Sequence, residues 1–125
     1  MTISRCDVGF MSIIEQETIL FHVYPEAEVQ LHHIEDLEDL VRQIEKELRF
    51  KVILFFNESS SISKKACQRY VQLVSKELVS AIGVVVSDLA QNVIVRHHFR
   101  PLTRLKQFQM FSELDGAKSW VKQFK

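Results

Sequence analysis

The chain has 125 residues, 46% apolar and 26% charged, which suits one compact domain with a core of its own. Its three glycines are scattered, so it cannot carry a Walker loop or a dinucleotide fingerprint, each of which needs two or three glycines within a few positions. The formal net charge is zero, but residues 1–62 carry 5 Lys+Arg against 12 Asp+Glu and residues 63–125 carry 11 against 4, halves that are expected to interleave and cancel within one fold.

Two strands open the chain, over 8–14 and 18–24, around a polar turn at Glu15-Gln16-Glu17. Ile19, Phe21 and Val23 share one face of the second strand, with Leu20, His22 and Tyr24 on the other. Pro25 ends that strand, and the alternation of Val29 and Leu31 with Glu28, Gln30 and His32 suggests an extended approach to the next element. Apolar residues at Ile34, Leu37, Leu40, Val41, Ile44 and Leu48 then have helical spacing. Acids at Glu35, Asp36, Glu38 and Asp39 in its first turn, and Lys46 and Arg49 at its end, complement the helix dipole. The uninterrupted run at 51–56 predicts a strand buried on both faces, followed by a polar loop over 57–63. A second helix is expected over 64–78, burying Ala66, Cys67, Tyr70, Val71, Val74 and Leu78, and another buried strand over 81–86. Ser87 or Asp88 can cap a third helix whose stripe is Leu89, Val93, Ile94 and His97, and Pro101 stops it. Residues 107–111 read as a last strand. Ser112 then caps a final helix, with Asp115 at N3 and a stripe of Leu114, Ala117, Trp120, Val121 and Phe124.

Strand–helix alternation after an opening hairpin implies a mixed, mostly parallel sheet of 4–5 strands with four helices, in one domain over residues 1–125. Leu40, Ile44, Ile53, Val71, Val85 and Trp120 are expected in a single core. No apolar run approaches the roughly 18 residues of a membrane span. No signal-peptide core follows Met1, so a cytoplasmic address is expected. Cys6 and Cys67 are expected as reduced thiols used as small hydrophobes, and no CxxC occurs.

Several strings resemble the STAS domain, the α/β fold of bacterial anti-sigma-factor antagonists, and its SEC14-related neighbours. Ser61-Ile62-Ser63-Lys64-Lys65-Ala66 is similar to the strand–loop–helix junction of small bacterial STAS-like proteins. Phe111-Ser112 with Ala117 and Trp120-Val121 resembles their final strand–helix unit, and Ile34-Glu35-Asp36-Leu37-Glu38-Asp39 the start of their first helix. The likeness spans about residues 13–124. It implies a non-enzymatic regulatory module acting by protein–protein contact, with a homodimer as the expected assembly. The alternative it implies is a small-ligand or lipid-binding protein of SEC14-related type, with an apolar pocket lined by Phe99, Phe108 and Trp120. A flat apolar patch on one helix would favour the interaction module. STAS antagonists switch partners by phosphorylating a hydroxyl at the start of the second helix. Lys65 stands at that place here, so the resemblance carries the scaffold without the phosphoacceptor.

Two surface groups are candidate sites. Ser61, Ser63, Lys64 and Lys65 surround a helix N-terminus, whose free N–H groups and added lysines suit an anion or an acidic partner. Arg96, His98, Arg100 and Arg104 form a basic surface suited to an acidic partner. No nucleic-acid motif accompanies it, so nucleic-acid binding is not expected. His32-His33 and His97-His98 are each adjacent, about 100° apart on a helix, which is poor for sharing a metal. His97 is expected partly buried beside a solvated His98. No nucleophile elbow or HExxH occurs, and no catalytic residue, metal or cofactor is assigned.

Overall fold

The computed structural model describes residues 2–15, 18–44 and 50–124. The expected turn residues Gln16 and Glu17, the side chains of Leu40, Val41 and Ile44, and residues 45–49 with Lys46, Leu48 and Arg49 lie outside what is described. Eight strands and four helices follow one another as β1 (Thr2–Cys6), β2 (Gly9–Glu15), β3 (Thr18–Val23), β4 (Glu28–Val29), α1 (Leu31–Ile44), β5 (Phe50–Phe56), β6 (Ser61–Ile62), α2 (Lys64–Ser75), β7 (Val79–Val85), α3 (Leu89–His98), β8 (Phe108–Phe111) and α4 (Leu114–Val121). The main sheet has the order β1-β2-β3-β5-β7-β8, six strands where four or five were expected. β1 and β2 join antiparallel, and β3, β5, β7 and β8 run parallel, as the strand–helix alternation requires. The additional strand is β1. β4 and β6 pair separately as a two-stranded parallel ribbon beside the sheet.

Helix ends have local causes. α1 begins at Leu31, three residues before the expected Ile34, so Glu35, Asp36, Glu38 and Asp39 lie beyond its first turn. α2 stops at Ser75 rather than Leu78. There Glu77 takes φ 61°, its N–H bonds Val74 O and the Leu78 N–H bonds Leu73 O, both at 3.0 Å. That pair of bonds is a Schellman stop. It leaves Leu78 exposed and turns Leu73 fully inward, while Val71 and Val74 are only half-buried. α4 is capped at Glu113, with no side-chain bond, instead of at Ser112.

Two cores replace the expected single one. On one face Phe21, Val52, Leu54, Phe56, Ile82 and Val84 pack against α1, α2 and α3 through residues such as Leu37, Tyr70 and Val95. On the other, Leu20, Ile53, Ala81 and Val85 pack against Ala117 and Val121 of α4, with Trp120 half-buried at the margin. Alternation along β5 assigns Ile53 to one core and Leu54 to the other. Gly9 sits where a Cβ would lie 2.1 Å from His22 O, so the close approach of β2 to β3 requires a residue without a side chain.

The opposed charges meet inside this fold. Glu38 of α1 is 5% exposed and accepts two bonds from Arg69 of α2, Nε to Oε2 at 2.7 Å and Nη2 to Oε1 at 2.5 Å. A bidentate fork of this kind gives both oxygens of the buried carboxylate a charged hydrogen-bond donor. Both cysteines are free. Cys67 is fully buried, and burial pushes its thiol well above the usual range, which suits a structural residue.

Candidate functional site

α3 is tied to the loop after β5 by a buried glutamine. Asp88 caps the helix by accepting the Gln91 N–H at 2.7 Å. Gln91 is 4% exposed. Its Nε2 donates to Asn57 O at 2.7 Å and to Ser60 O at 2.8 Å, while its Oε1 accepts the Ser87 N–H at 2.9 Å. Every polar atom of that side chain is thus engaged, which is what a buried amide needs. Ser60, also buried, donates its hydroxyl to Asn57 O at 2.6 Å. At the far end of α3, His98 Nδ1 donates to Ile62 O at 2.9 Å. Between these polar ties, Val95 enters the core.

Because Gln91, Val95 and His98 face inward, the opposite face of α3 is turned to solvent. Leu89 is 80% exposed, Val93 60% and Ile94 47%. This reverses the expectation that Leu89, Val93, Ile94 and His97 form the buried stripe. His97 is exposed and His98 half-buried, the opposite of the expected pair. The helix and its period are as expected, but its phase is turned about halfway round. The reason is Gln91: a polar residue occupies the core side because the loop offers carbonyls for it. Three adjacent aliphatics left outside on one ten-residue helix form a patch of the kind that marks a contact surface.

Of the two expected sites, one lies at the β6–α2 junction, which meets the C-terminal end of α3, and the other on α3 and the turn after it. Ser63 is the N-cap of α2, its Oγ accepting the Ala66 N–H at 3.1 Å, and its own N–H bonds Val29 O at 2.9 Å. Ser61 is held in β6, its N–H bonding Ala27 O at 2.9 Å. Lys64 and Lys65 are exposed. The His98–Ile62 bond places the end of α3, with exposed Arg96 and Arg100, against the strand that leads into those lysines. Arg104 is exposed a few residues further on, past the short 3-10 turn Arg100–Leu102. Sequence reasoning placed Lys64, Lys65, Arg96, Arg100 and Arg104 on the surface, and all five are exposed. It missed the apolar patch on α3, having assigned those residues to the core.

Elsewhere two buried or half-buried histidines have structural partners. His33 lies in the first turn of α1, and its Nδ1 accepts the Gln30 N–H at 2.8 Å, as the acid of a capping box does. That bond places the ring proton on Nε2, which donates to Asp7 Oδ1 at 3.1 Å and holds the Asp7 carboxyl below its usual range. Cys6, Asp7 and His33 form the cluster with metal-ligand geometry among the described residues. With this tautomer neither nitrogen of His33 offers a lone pair to a cation. His22 is stacked between Phe10 and Phe55, ring centres 4.6 and 5.0 Å away, in a row that the strand register continues from Arg5 to Phe111. The ring faces are occupied by one another, so the row is no platform for stacked bases. Phe99 and Phe108 pack together at 5.2 Å in the first core, whereas Trp120 lies across the sheet against Phe111 and Phe124. Those three therefore do not line one pocket.

The comparisons with known proteins agree with this architecture. The model of a family described as a domain of unknown function, DUF7793, matches residues 12–125. The chain belongs to the DUF7793 family. A crystal structure of an uncharacterized protein from the DUF3478 family, with a SpoIIAA-like fold, from Shewanella loihica PV-4, is similar over 89% of this chain and 91% of that one. The TM-score is 0.59 at 12% identity. The α/β, SpoIIAA-like fold expected from the STAS resemblance is thus shown. No curated protein matches the chain. Among the described residues, no helix is long and apolar enough to cross a membrane.

Proposed function

We propose that this DUF7793 member is a non-enzymatic interaction module that binds a protein partner through the outward face of α3. The observation that carries the reading is the exposure of Leu89, Val93 and Ile94 on a helix whose other side is firmly anchored. Lys65, at the place where the STAS antagonists carry their phosphoacceptor, has no hydroxyl to modify. The junction at Ser61, Ser63, Lys64 and Lys65 is then a fixed positive surface rather than a switched one. A cytoplasmic role in bacterial regulation follows from the STAS resemblance. The separation of Phe99 and Phe108 from Trp120 speaks against the ligand-pocket alternative. Native mass spectrometry of the protein purified from its own host tests the reading. A second polypeptide is expected to remain bound and to be lost in a Leu89→Ser/Val93→Ser variant. A retained small molecule, with no polypeptide, would overturn it.

A further inference from the structure

We infer that the α3 face receives an amphipathic helix of a partner protein, one whose apolar stripe is flanked by carboxylates. This deepens the interaction reading and rests on it. Leu89 and Val93 are one turn apart, with Ile94 beside them and His97 continuing the line. Such a ridge matches the i, i+3, i+4, i+7 anchors of a second helix. The charged side chains at its C-terminal end are basic, while Asp88 and Glu58 lie at its N-terminal end. Arg96, Arg100 and Arg104 are exposed along its C-terminal end, and Lys64 is exposed at the α2 start beyond the His98–Ile62 bond, whereas Lys65 lines the groove between α1 and α2 with Glu35. Arg96 Nε bonds Asn92 Oδ1 at 3.3 Å within its own helix. Arg100, Arg104, Lys64 and Lys65 form no ion pair with any described residue. The nearest acid in sequence, Asp88, has its Oδ1 committed to the cap of α3. An acidic surface is the complement of this one.

A second copy of the chain is a poor occupant. Parallel two-fold pairing of α3 with itself would oppose two basic ends, and antiparallel pairing would offer each of them only the single carboxylate of Asp88, already committed to its cap. The exposed acids Glu35, Asp36 and Asp39 lie on α1, whose Ile34 and Leu37 are fully buried, so among the described residues that face brings charge without an apolar stripe. Nucleic acid would leave the aliphatic ridge unmatched. A ten-residue helix spans only about 15 Å, so the contact is small and its affinity modest.

The test is an NMR titration of the full chain with three designed peptides of about 18 residues, long enough for helix formation. One carries leucines at the spacing above flanked by glutamates, the second has lysines in place of the glutamates, and the third is the glutamate peptide scrambled. The glutamate helix is expected to shift resonances of residues 88–100. The lysine and scrambled peptides should bind at least about tenfold more weakly. Arg96→Glu/Arg100→Glu should reverse the order of the first two peptides, and Leu89→Ser/Val93→Ser should abolish binding while the remaining spectrum shows the fold intact. Equal binding of the glutamate and lysine helices, lost in the serine variant, overturns the acidic partner and leaves the interaction reading standing. Binding unaffected by the serine variant overturns both. No binding by any peptide at millimolar concentration overturns the acidic helix, while co-purification still judges the broader reading. Sedimentation with phosphatidylserine vesicles, abolished in the serine variant, would make the face a membrane contact. A concentration-dependent dimer abolished by the same variant would make its occupant a second copy. Either result overturns the inference.

Discussion

Tyr70 carries a hydroxyl into the middle of the first core, fully buried and with no hydrogen-bond partner among the described residues. Burial pushes its ionisation well above the usual phenol range, so the group is a neutral, unsatisfied donor. Removing both the hydroxyl and its desolvation cost is expected to be neutral or favourable. Tyr70→Phe should leave the urea midpoint unchanged or raise stability by up to about 1 kcal/mol. A loss above about 1 kcal/mol would mean the hydroxyl has a partner in solution. His22 poses the opposite problem. Burial between Phe10 and Phe55 lowers its pKa from 6.5, and Asn57 Nδ2 donates to its Nε2 at 2.7 Å, a bond only the neutral ring can accept. The folded state therefore binds fewer protons than the unfolded one across that window. His22's contribution to stability is whole above pH 6.5 and is lost as the pH falls through its lowered value. Denaturation midpoints from about pH 7.5 down to about pH 5 should fall for the native protein. They should fall less for His22→Phe, which fits the same stack. Parallel curves would show that His22 does not titrate differently on folding.

At the level of elements, α3 shows where the sequence is legible and where it is not. The strands of the parallel sheet and α2 declare themselves by continuous apolar runs and by period, and their positions agree with the reading to within a few residues. α3 is also found, with Asp88 as its cap, but its inward side depends on Gln91. A glutamine scores as surface in any hydropathy pattern. Only the folded loop, with Asn57 O and Ser60 O facing it, makes that residue a core one. β1 was missed because Ser4 and Arg5 interrupt its alternation, so it declares itself only by pairing with β2. The basic residues of the candidate site were legible because charge clusters are local in sequence. The apolar patch was not, because its meaning depends on which way a helix is turned. That orientation has a direct test. Val95→Ala should cost roughly 2 kcal/mol, the loss of a buried valine side chain. Val93→Ala, two residues earlier, should fall within about 0.5 kcal/mol of the native protein. Were Val93 the costly one, the helix would be turned as the sequence pattern suggests, and the proposed docking face would be buried.

Over the whole molecule, two cores are built on opposite sides of shared strands, and this bears on cooperativity. Ile53 belongs to the α4 side and its neighbour Leu54 to the side of α1, α2 and α3. Ala81 and Val85 against Ile82 and Val84 repeat the division in β7. Releasing α4 would uncover one face of the same strands whose other face anchors three helices. The shared backbone hydrogen bonds of β5 and β7 tie the two losses together. The chain has one tryptophan, Trp120, on α4 and packed against Phe111 and Phe124. Its fluorescence thus reports the α4 side, whereas far-ultraviolet circular dichroism reports all four helices. If the sheet couples the two layers, the two signals should trace one urea transition with the same midpoint and slope. Ile53→Ala and Leu54→Ala should each lower that common midpoint, at a cost of about 2–5 kcal/mol. A tryptophan transition at distinctly lower urea, with circular dichroism following later, would mean that α4 detaches as a separate unit. The strands would then transmit nothing between their faces, and Ile53→Ala would move only the first transition.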